Sequence, residues 1–350
     1  MTAVLHPPGT PVRARGAGGV WSAAAQRFRA DRVGVASLAV VVLYLLLVLA
    51  ASLGLVAAHW QDERGVPDAP PTFMGPAPAE DAQALSGPSG PSADISAVDP
   101  LAPRYEEWAE AAKKYRTREA QRALTLPFGA DRLGRDVLSK AIKGAQVSIL
   151  VGVCAAVVAT AIGTVLGAVA GFFGGRAGDV LEWVYNVFTA IPGILLIFAF
   201  AAVFPRGVIA VVMILGLAGW TGIYRLVRAE FMKHAVRDYV RSAEALGAST
   251  SARIFRHILP NVSHVVLVQL SVHVVGFIKS EVILSYLGFG VGVDQVSWGT
   301  MLSEAQSELI LGHWWQLAAA TGMMAVFVTA FSLMTDALRD ALDPKLRGLE

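Results

Sequence analysis

Charged side chains are scarce in this sequence. Only 16% of its 350 residues are Asp, Glu, Lys or Arg, where soluble globular domains carry roughly 25%. Apolar residues make up 55% and the mean hydropathy is +0.54. This balance excludes intrinsic disorder, a coiled coil or a nucleic-acid-binding arm over most of the length. Cysteine is rarer still: Cys154 alone excludes an intrachain disulfide framework, a CxxC redox pair and a multi-cysteine metal site. No Gly-Lys dipeptide occurs, so there is no P-loop to cradle nucleotide phosphates. No histidine is followed by glutamate, which removes HExxH zinc sites, and no G-x-S-x-G nucleophile elbow is present. A catalytic role for the chain itself is not expected.

Long uncharged stretches take the place of those motifs. A bilayer core of roughly 30 Å needs about 20 apolar residues in helical form. Six stretches qualify: Val33 to Ala58, Val147 to Gly175, Trp183 to Phe204, Gly207 to Tyr224, Ile258 to Ile278 and Trp314 to Thr335. The sequence therefore predicts an all-α integral membrane protein of six transmembrane helices. The first stretch exceeds the roughly 7–15 apolar residues of a cleaved secretory signal, and further spans follow, so it is read as a retained helix. His264 and His273 in the fifth span fall on opposite helix faces at about 100° per residue. Interhelical hydrogen bonds suit them better than a shared metal.

The net charge is only +2, so orientation rests on where the cations sit. Arg13, Arg15, Arg27, Arg29 and Arg32 precede the first span, and Arg339, Lys345 and Arg347 follow the last. The loop from Tyr224 to His257 holds Arg225, Arg228, Lys233, Arg237, Arg241, Arg253 and Arg256 against Glu230, Asp238 and Glu244. The loop from Leu284 to His313 has no lysine or arginine. The positive-inside rule then places both termini in the cytoplasm. The organisation expected is a cytoplasmic tail at 1–32, a first span at 33–58 and an extracytoplasmic segment at 59–126. A core at 127–337 and a cytoplasmic tail at 338–350 complete it.

The extracytoplasmic segment has two characters. Gln61 to Pro103 holds nine of the chain's 17 prolines and reads as an extended, poorly packed linker. Arg104 to Leu124, with Glu106, Glu107, Glu110, Lys113, Lys114, Arg116 and Arg118, reads as a solvated helix, or as a surface for an extracytoplasmic partner.

The cytoplasmic loop between spans four and five carries the most information. Tyr239 to Leu246 is rich in helix formers, and Gly247 tolerates the positive φ that ends a helix. A second short helix starts near Ser249 or Thr250 as N-cap and runs to Pro260, where the span begins. This predicts a helix–turn–helix lying along the membrane, with Ser242, Ala243 and Ala245 small enough for close approach by a partner.

That segment, within 228–261, resembles the EAA loop of ATP-binding-cassette (ABC) importer permeases. Its glycine is Gly247, and His257-Ile258-Leu259-Pro260 follows nine residues later. Pro127 to Ser139, Ala190 to Gly193, Glu230, Phe255 to Asn261, Glu281 to Gly290, Ser297 to Leu302 and Asp340 to Arg347 also resemble the C-type inner-membrane subunit of dipeptide/oligopeptide permeases. The pattern departs from that family at Arg241 and Ser242, where Glu-Ala is usual, and at Glu244, where arginine is frequent. A surface pair of reversed polarity between Arg241 and Glu244 is the expectation there.

What the resemblance implies is a type I ABC-importer permease of a bacterial inner membrane, forming half of a peptide pathway. Its partners would be a second, B-type permease subunit, two cytoplasmic ABC ATPases and an extracytoplasmic solute-binding protein, within a lipid bilayer. The chain would hold no cofactor; ATP and magnesium would be bound by the ATPases. ATPase coupling would fall to Asp238, Tyr239, Arg241, Ser242, Ala243, Glu244, Ala245, Leu246, Gly247, Ala248, Phe255, Arg256, His257, Leu259 and Pro260. Glu281, Lys279 and Pro192 are candidates for the translocation path, as ionisable or helix-breaking residues within spans. A stand-alone secondary transporter would need paired broken helices in two halves, and only Pro192-Gly193 offers such a break.

Overall fold

The computed structural model describes residues 20–76, 99–114, 122–292 and 294–342. Regular structure among them is helical, with only isolated backbone bridges besides. Helix α1 (Val20–Ala30) leads into α2 (Arg32–Ser52), which Asp31 caps by accepting the Val33 N–H at 2.9 Å. Helix α3 (Tyr105–Lys114) lies in the long segment that follows α2; of its predicted continuation to Leu124, 115–121 lies outside the described residues and 122–124 is not helical. The transmembrane part contains α4 (Val137–Phe173), α5 (Gly175–Ala190), α6 (Gly193–Val203), α7 (Val208–Ala218) and α8 (Thr221–Ala235). Then come α9 (Asp238–Ala245), α10 (Thr250–Tyr286), α11 (Trp298–Ile310) and α12 (Trp315–Leu342).

Four of these helices, α2, α4, α10 and α12, are long and apolar enough to cross a bilayer, and α5–α6 and α7–α8 add up to two bent spans. The third predicted span is thus two helices meeting at 89°. Ile191 is extended (φ −95°, ψ 129°) because the ring of Pro192 disfavours a helical residue before it. The fourth bends by 43° between Ala218 and Thr221, where Gly219 leaves room for the Phe277 ring of α10. Helix α2 stops at Ser52, short of the predicted Ala58, and α4 begins at Val137 rather than Val147. That earlier start follows from Asp136, whose carboxylate accepts the N–H groups of Leu138 and Ser139 at 3.1 and 3.3 Å.

Helix α4 is the axis of the bundle. It packs against α8, α10, α7, α2, α11 and α12, burying Val151, Ala155, Ala159, Ile214, Leu215, Ile278 and Phe327 among them. Gly163, Gly167 and Gly171, four residues apart, form one stripe on it against α8. A β-carbon at Gly167 would lie 2.7 Å from the Tyr224 carbonyl oxygen, and one at Gly171 2.5 Å from that of Arg228. With no hydrophobic drive between helices in lipid, such backbone-to-backbone approach is what holds them. At the opposite end of the chain, Ala24 of α1 packs against Ala341 and Leu342, so the first and last described helices meet.

The segment after α2 corrects the linker expectation in part. Residues 61–76 are laced to the stretch before α4 by bridges Glu63–Arg135, Gly65–Ala123 and Pro71–Leu126, and Ala69 is 1% exposed. The backbone bonds are long-range in sequence, which a proline count does not register. The stretch 77–98 lies outside the described residues.

Candidate functional site

The loop between α8 and α10 is built on the end of α8. Asp238 opens α9 in its first turn, where the helix dipole favours a carboxylate. Val240 (2% exposed) anchors α9 to a cluster with Ala168, Ile223, Val227, Phe231, Ile258 and Val262, and Ala243 is buried on the same side of the helix. After Leu246 the helix closes in a Schellman motif: the Ala248 N–H donates to the Ala243 carbonyl and the Gly247 N–H to that of Glu244, both at 2.9 Å. Gly247 takes φ +85° to make it, as its residue type predicted. Ser249 then caps the next turn, its hydroxyl accepting the Ala252 N–H at 3.2 Å.

The second arm differs from expectation. It does not end at Pro260 but runs without a break into the span as α10. The accommodation is a π-helical stretch, Arg253–Ile258, in which the Leu259 N–H donates to the Ile254 carbonyl five residues back. A wider turn ahead of Pro260 frees the carbonyls that its ring would otherwise strike. The His257 carbonyl accepts from the Asn261 side chain at 2.7 Å. Any displacement of Phe255, Arg256, His257 or Leu259 is therefore passed directly into α10.

Three side-chain contacts brace the loop. Tyr239 Oη lies 2.8 Å from His234 Nδ1, tying α9 to α8. Glu230 pairs with Lys233 at 3.1 Å. Glu244 pairs with Arg253 at 2.6 Å, and the Arg253 guanidinium also lies over the Phe172 ring at the end of α4. The last contact corrects the expected Arg241–Glu244 pair: Glu244 is held by a residue across the turn, and Arg241 has no ion pair among the described residues. Arg253 was absent from the sequence-based set because its partner depends on how the turn folds. Leu246 is 89% exposed and Phe255 65%, an unusual display for apolar residues on a water-facing loop. Ser242 and Ala245 are exposed beside Arg241, leaving a low surface around it.

The three path candidates are not brought together. Pro192 is exposed at the α5–α6 break, and Lys279 is exposed on α10. Glu281 is fully buried in the chain's own bundle: its carboxylate accepts from the hydroxyls of Ser148 and Ser285, each at 2.6 Å. Ser148 in turn accepts the Trp298 N–H at 3.2 Å, so Glu281 joins α4, α10 and α11. An open, mostly apolar groove of about 470 Å³ lies instead between α4 and α10, with Thr160, Thr164 and Ser263 in its walls. His273 reaches Thr160 across the helices at 3.4 Å, matching the interhelical role expected for it.

A second polar constellation fastens the outer side. Asp131, fully buried, accepts the Leu133 and Arg135 N–H groups at 2.9 and 3.0 Å and the Arg135 Nε at 2.7 Å. Lys140 Nζ, equally buried, donates to Asp131 at 2.6 Å, to Glu304 and to Gln316 at 3.2 Å. Burial works to raise the Asp131 carboxyl, but the Lys140 ammonium and the backbone donors outweigh it and hold it below the usual carboxylate range. Trp315 Nε1 donates to the Ala130 carbonyl at 2.6 Å. Glu308 on α11, 2% exposed, accepts the Arg132 N–H at 3.3 Å with one oxygen and leaves the other without a partner. Its burial lifts the carboxyl to about 7. The Pro127 to Ser139 stretch is thus the clasp between the outer segment and α4, α11 and α12. Sequence reading singled the stretch out but gave it no role.

Comparison with known proteins agrees with this architecture. Residues 163–348 match the family described as binding-protein-dependent transport system inner membrane component. The chain is 37% identical over 220 residues to the oligopeptide transport system permease protein OppC of Bacillus subtilis, covering 63% of this chain and 72% of that one. It is 34% identical over 220 residues to the dipeptide transport system permease protein DppC of the same organism, covering 63% and 69%. The glutathione transport system permease protein GsiD of Shigella dysenteriae is 36% identical over 223 residues, covering 63% and 73%.

Proposed function

This chain belongs to the binding-protein-dependent transport system inner membrane components, as a multi-pass permease subunit of an ABC importer, and on that premise we propose how it couples. Its cargo is a di- or oligopeptide, the reading that the named activities of its relatives favour. It crosses the inner membrane six times with both termini in the cytoplasm, the bent pairs α5–α6 and α7–α8 each serving as one span. The cationic Tyr224 to His257 loop and the meeting of α1 with the end of α12 support that count and orientation. A B-type permease subunit supplies the other half of the pathway, and an extracytoplasmic binding protein delivers the peptide. Two cytoplasmic ATPases bind ATP and magnesium, so this chain holds no cofactor.

The carrying observation is the continuity of Thr250–Tyr286. When the ATPase pair closes on ATP, it moves the Asp238–Pro260 loop seated on one of them. Since Pro260 does not interrupt α10, the loop displaces the span itself, and the pathway exchanges one arrangement for another. Substrate is held weakly between deliveries, because release has to follow each one.

The experiment is purification of the assembled transporter with peptide-stimulated ATP hydrolysis and uptake as readouts. Gly247→Asp places a side chain where φ is +85°, straining the turn without touching a neighbour. We expect uptake to be lost while the subunits still assemble. Undiminished uptake by this variant would defeat the coupling role.

A further inference from the structure

The outward face of α9 has one long side chain. At about 100° per residue, Val240 and Ala243 share the buried side, and Asp238, Arg241, Ser242 and Ala245 share the other. Arg241 stands between a serine and an alanine, so whatever covers this face must receive its guanidinium. Among the described residues Arg241 has no ion pair, although Asp238 is one turn before it and Glu244 one turn after. Glu244 is engaged elsewhere, held at 2.6 Å by Arg253 on the second arm of the loop. Glu230 is likewise engaged by Lys233. The exposed and unpaired charges of the loop are therefore mostly positive, with Arg237 and Arg256 also exposed and without an ion pair among the described residues.

We infer that the ATPase surface seated on this loop presents an aspartate or glutamate to Arg241, so that the charge at the centre of the contact runs from permease cation to ATPase anion. This rests on the docking reading given above. Leu246 and Phe255, exposed apolar residues of the same loop, support its being covered by a partner. Covering it removes water from Arg241, and a cation desolvated without a partner costs more than the surrounding contacts return. Asp238 on the same face makes no ion pair with it among the described residues, and Ser242 and Ala245 are too short to supply a partner from within the chain. A neutral groove would leave the guanidinium stranded, and a basic one would repel it together with Arg237 and Arg256.

The test uses the complete transporter, purified with its own ATPases. In Arg241→Lys the cation is kept and becomes an amine that a carbodiimide can join to a carboxylate within ion-pair distance. The expected product is a cross-linked peptide connecting position 241 to an Asp or Glu of the ATPase. Coupling only to carboxylates of this chain, in a complex that retains full ATPase, would overturn the inference while leaving docking intact. In Arg241→Glu, ATPase retention should fall about tenfold at 0.15 M salt, with the B-type subunit still recovered in full. Arg241→Lys, which keeps the positive charge, should retain more ATPase than Arg241→Glu. Equal retention by the Arg241→Glu variant would likewise overturn it. Failure of the unaltered chain to co-purify with any ATPase would instead bring down the docking reading itself, and this inference with it.

Discussion

Glu244 and Arg253 meet at 2.6 Å across the turn that Gly247 makes, so an ion pair closes the helix–turn–helix from the side. Arg253 is largely covered and stacked on Phe172, whereas Glu244 is 59% exposed. Such a half-solvated pair contributes about 0.2–1 kcal/mol. A double-mutant cycle of Glu244→Gln and Arg253→Met on thermal unfolding in detergent should return a coupling energy in that range. Arg253→Met alone should cost more than Glu244→Gln alone, because it also removes the cation from the Phe172 ring. Equal single costs would mean that the ring contact contributes nothing.

The outer clasp should be far less forgiving. Lys140→Met removes the ammonium between Asp131 and Glu304 and leaves Arg135 alone to balance both carboxylates, with Asp131 out of reach of water. Breaking one side of a buried pair costs about 3–5 kcal/mol. We expect the variant to be recovered poorly, and protease cleavage between 122 and 136 to appear in whatever is recovered. Normal yield with unchanged protease resistance would show that the cluster is not what fastens the cap.

Acidity offers a separable readout of the same region. The Glu308 carboxyl titrates at about 7 in the folded protein against 4.5 when free of its surroundings. Its pKa is raised, so its favourable contribution is complete below about pH 4.5 and is lost as pH rises through about 7. Asp68, also raised by burial, acts in the same sense, while Asp131 is lowered and loses its contribution only as pH falls below the ordinary carboxylate range. From pH 4.5 to 7.5 these two raised carboxyls should therefore make the thermal midpoint decline towards neutrality, against His234, whose pKa is lowered by burial and which acts in the opposite sense. Glu308→Gln, which copies the protonated side chain, should flatten part of that decline. A variant with the same slope as the parent would remove Glu308 from the explanation.

Close approach of α4 and α8 gives a fourth expectation. In Gly167→Leu, the new side chain would meet the Tyr224 carbonyl and Val227, neither of which has space to retreat. Overpacking costs about 1–3 kcal/mol in ordinary cores, and here the backbone itself would have to part. Gly276→Ala on α10, where nothing stands within 4 Å, should be tolerated. Folding yield judged by size-exclusion profile distinguishes the two.

Local chemistry was legible in the sequence wherever a residue type acts on its immediate neighbours. The apolar stretches, the turn at Gly247, the cap at Ser249 and the break at Pro192 could all be read this way. Partners distant along the chain were not legible. Sequence reading gave Lys140 no part, yet it bonds Glu304 and Gln316, 164 and 176 residues away. Glu281 drew attention as an ionisable group in a span, but of the two serines that bond it one lies on α4, 133 residues away. The bend between α7 and α8 escaped notice because it follows from the bulk of Phe277 on another helix, not from a proline. The Arg241–Glu244 expectation failed for a related reason: helical spacing allows a pair, but a better-placed arginine came from beyond the turn.

With 37 residues, α4 is about 55 Å long, nearly twice the hydrocarbon thickness. Its last turn touches the inner loop through Phe172 and Ala168, and its first carries Lys140 into the outer clasp. A tilt of only ten degrees about mid-bilayer would swing each tip by about 5 Å, in opposite directions. The turn at Gly247 and the buried carboxylate of Asp131 lean on opposite ends of one rigid beam, and neither can shift alone.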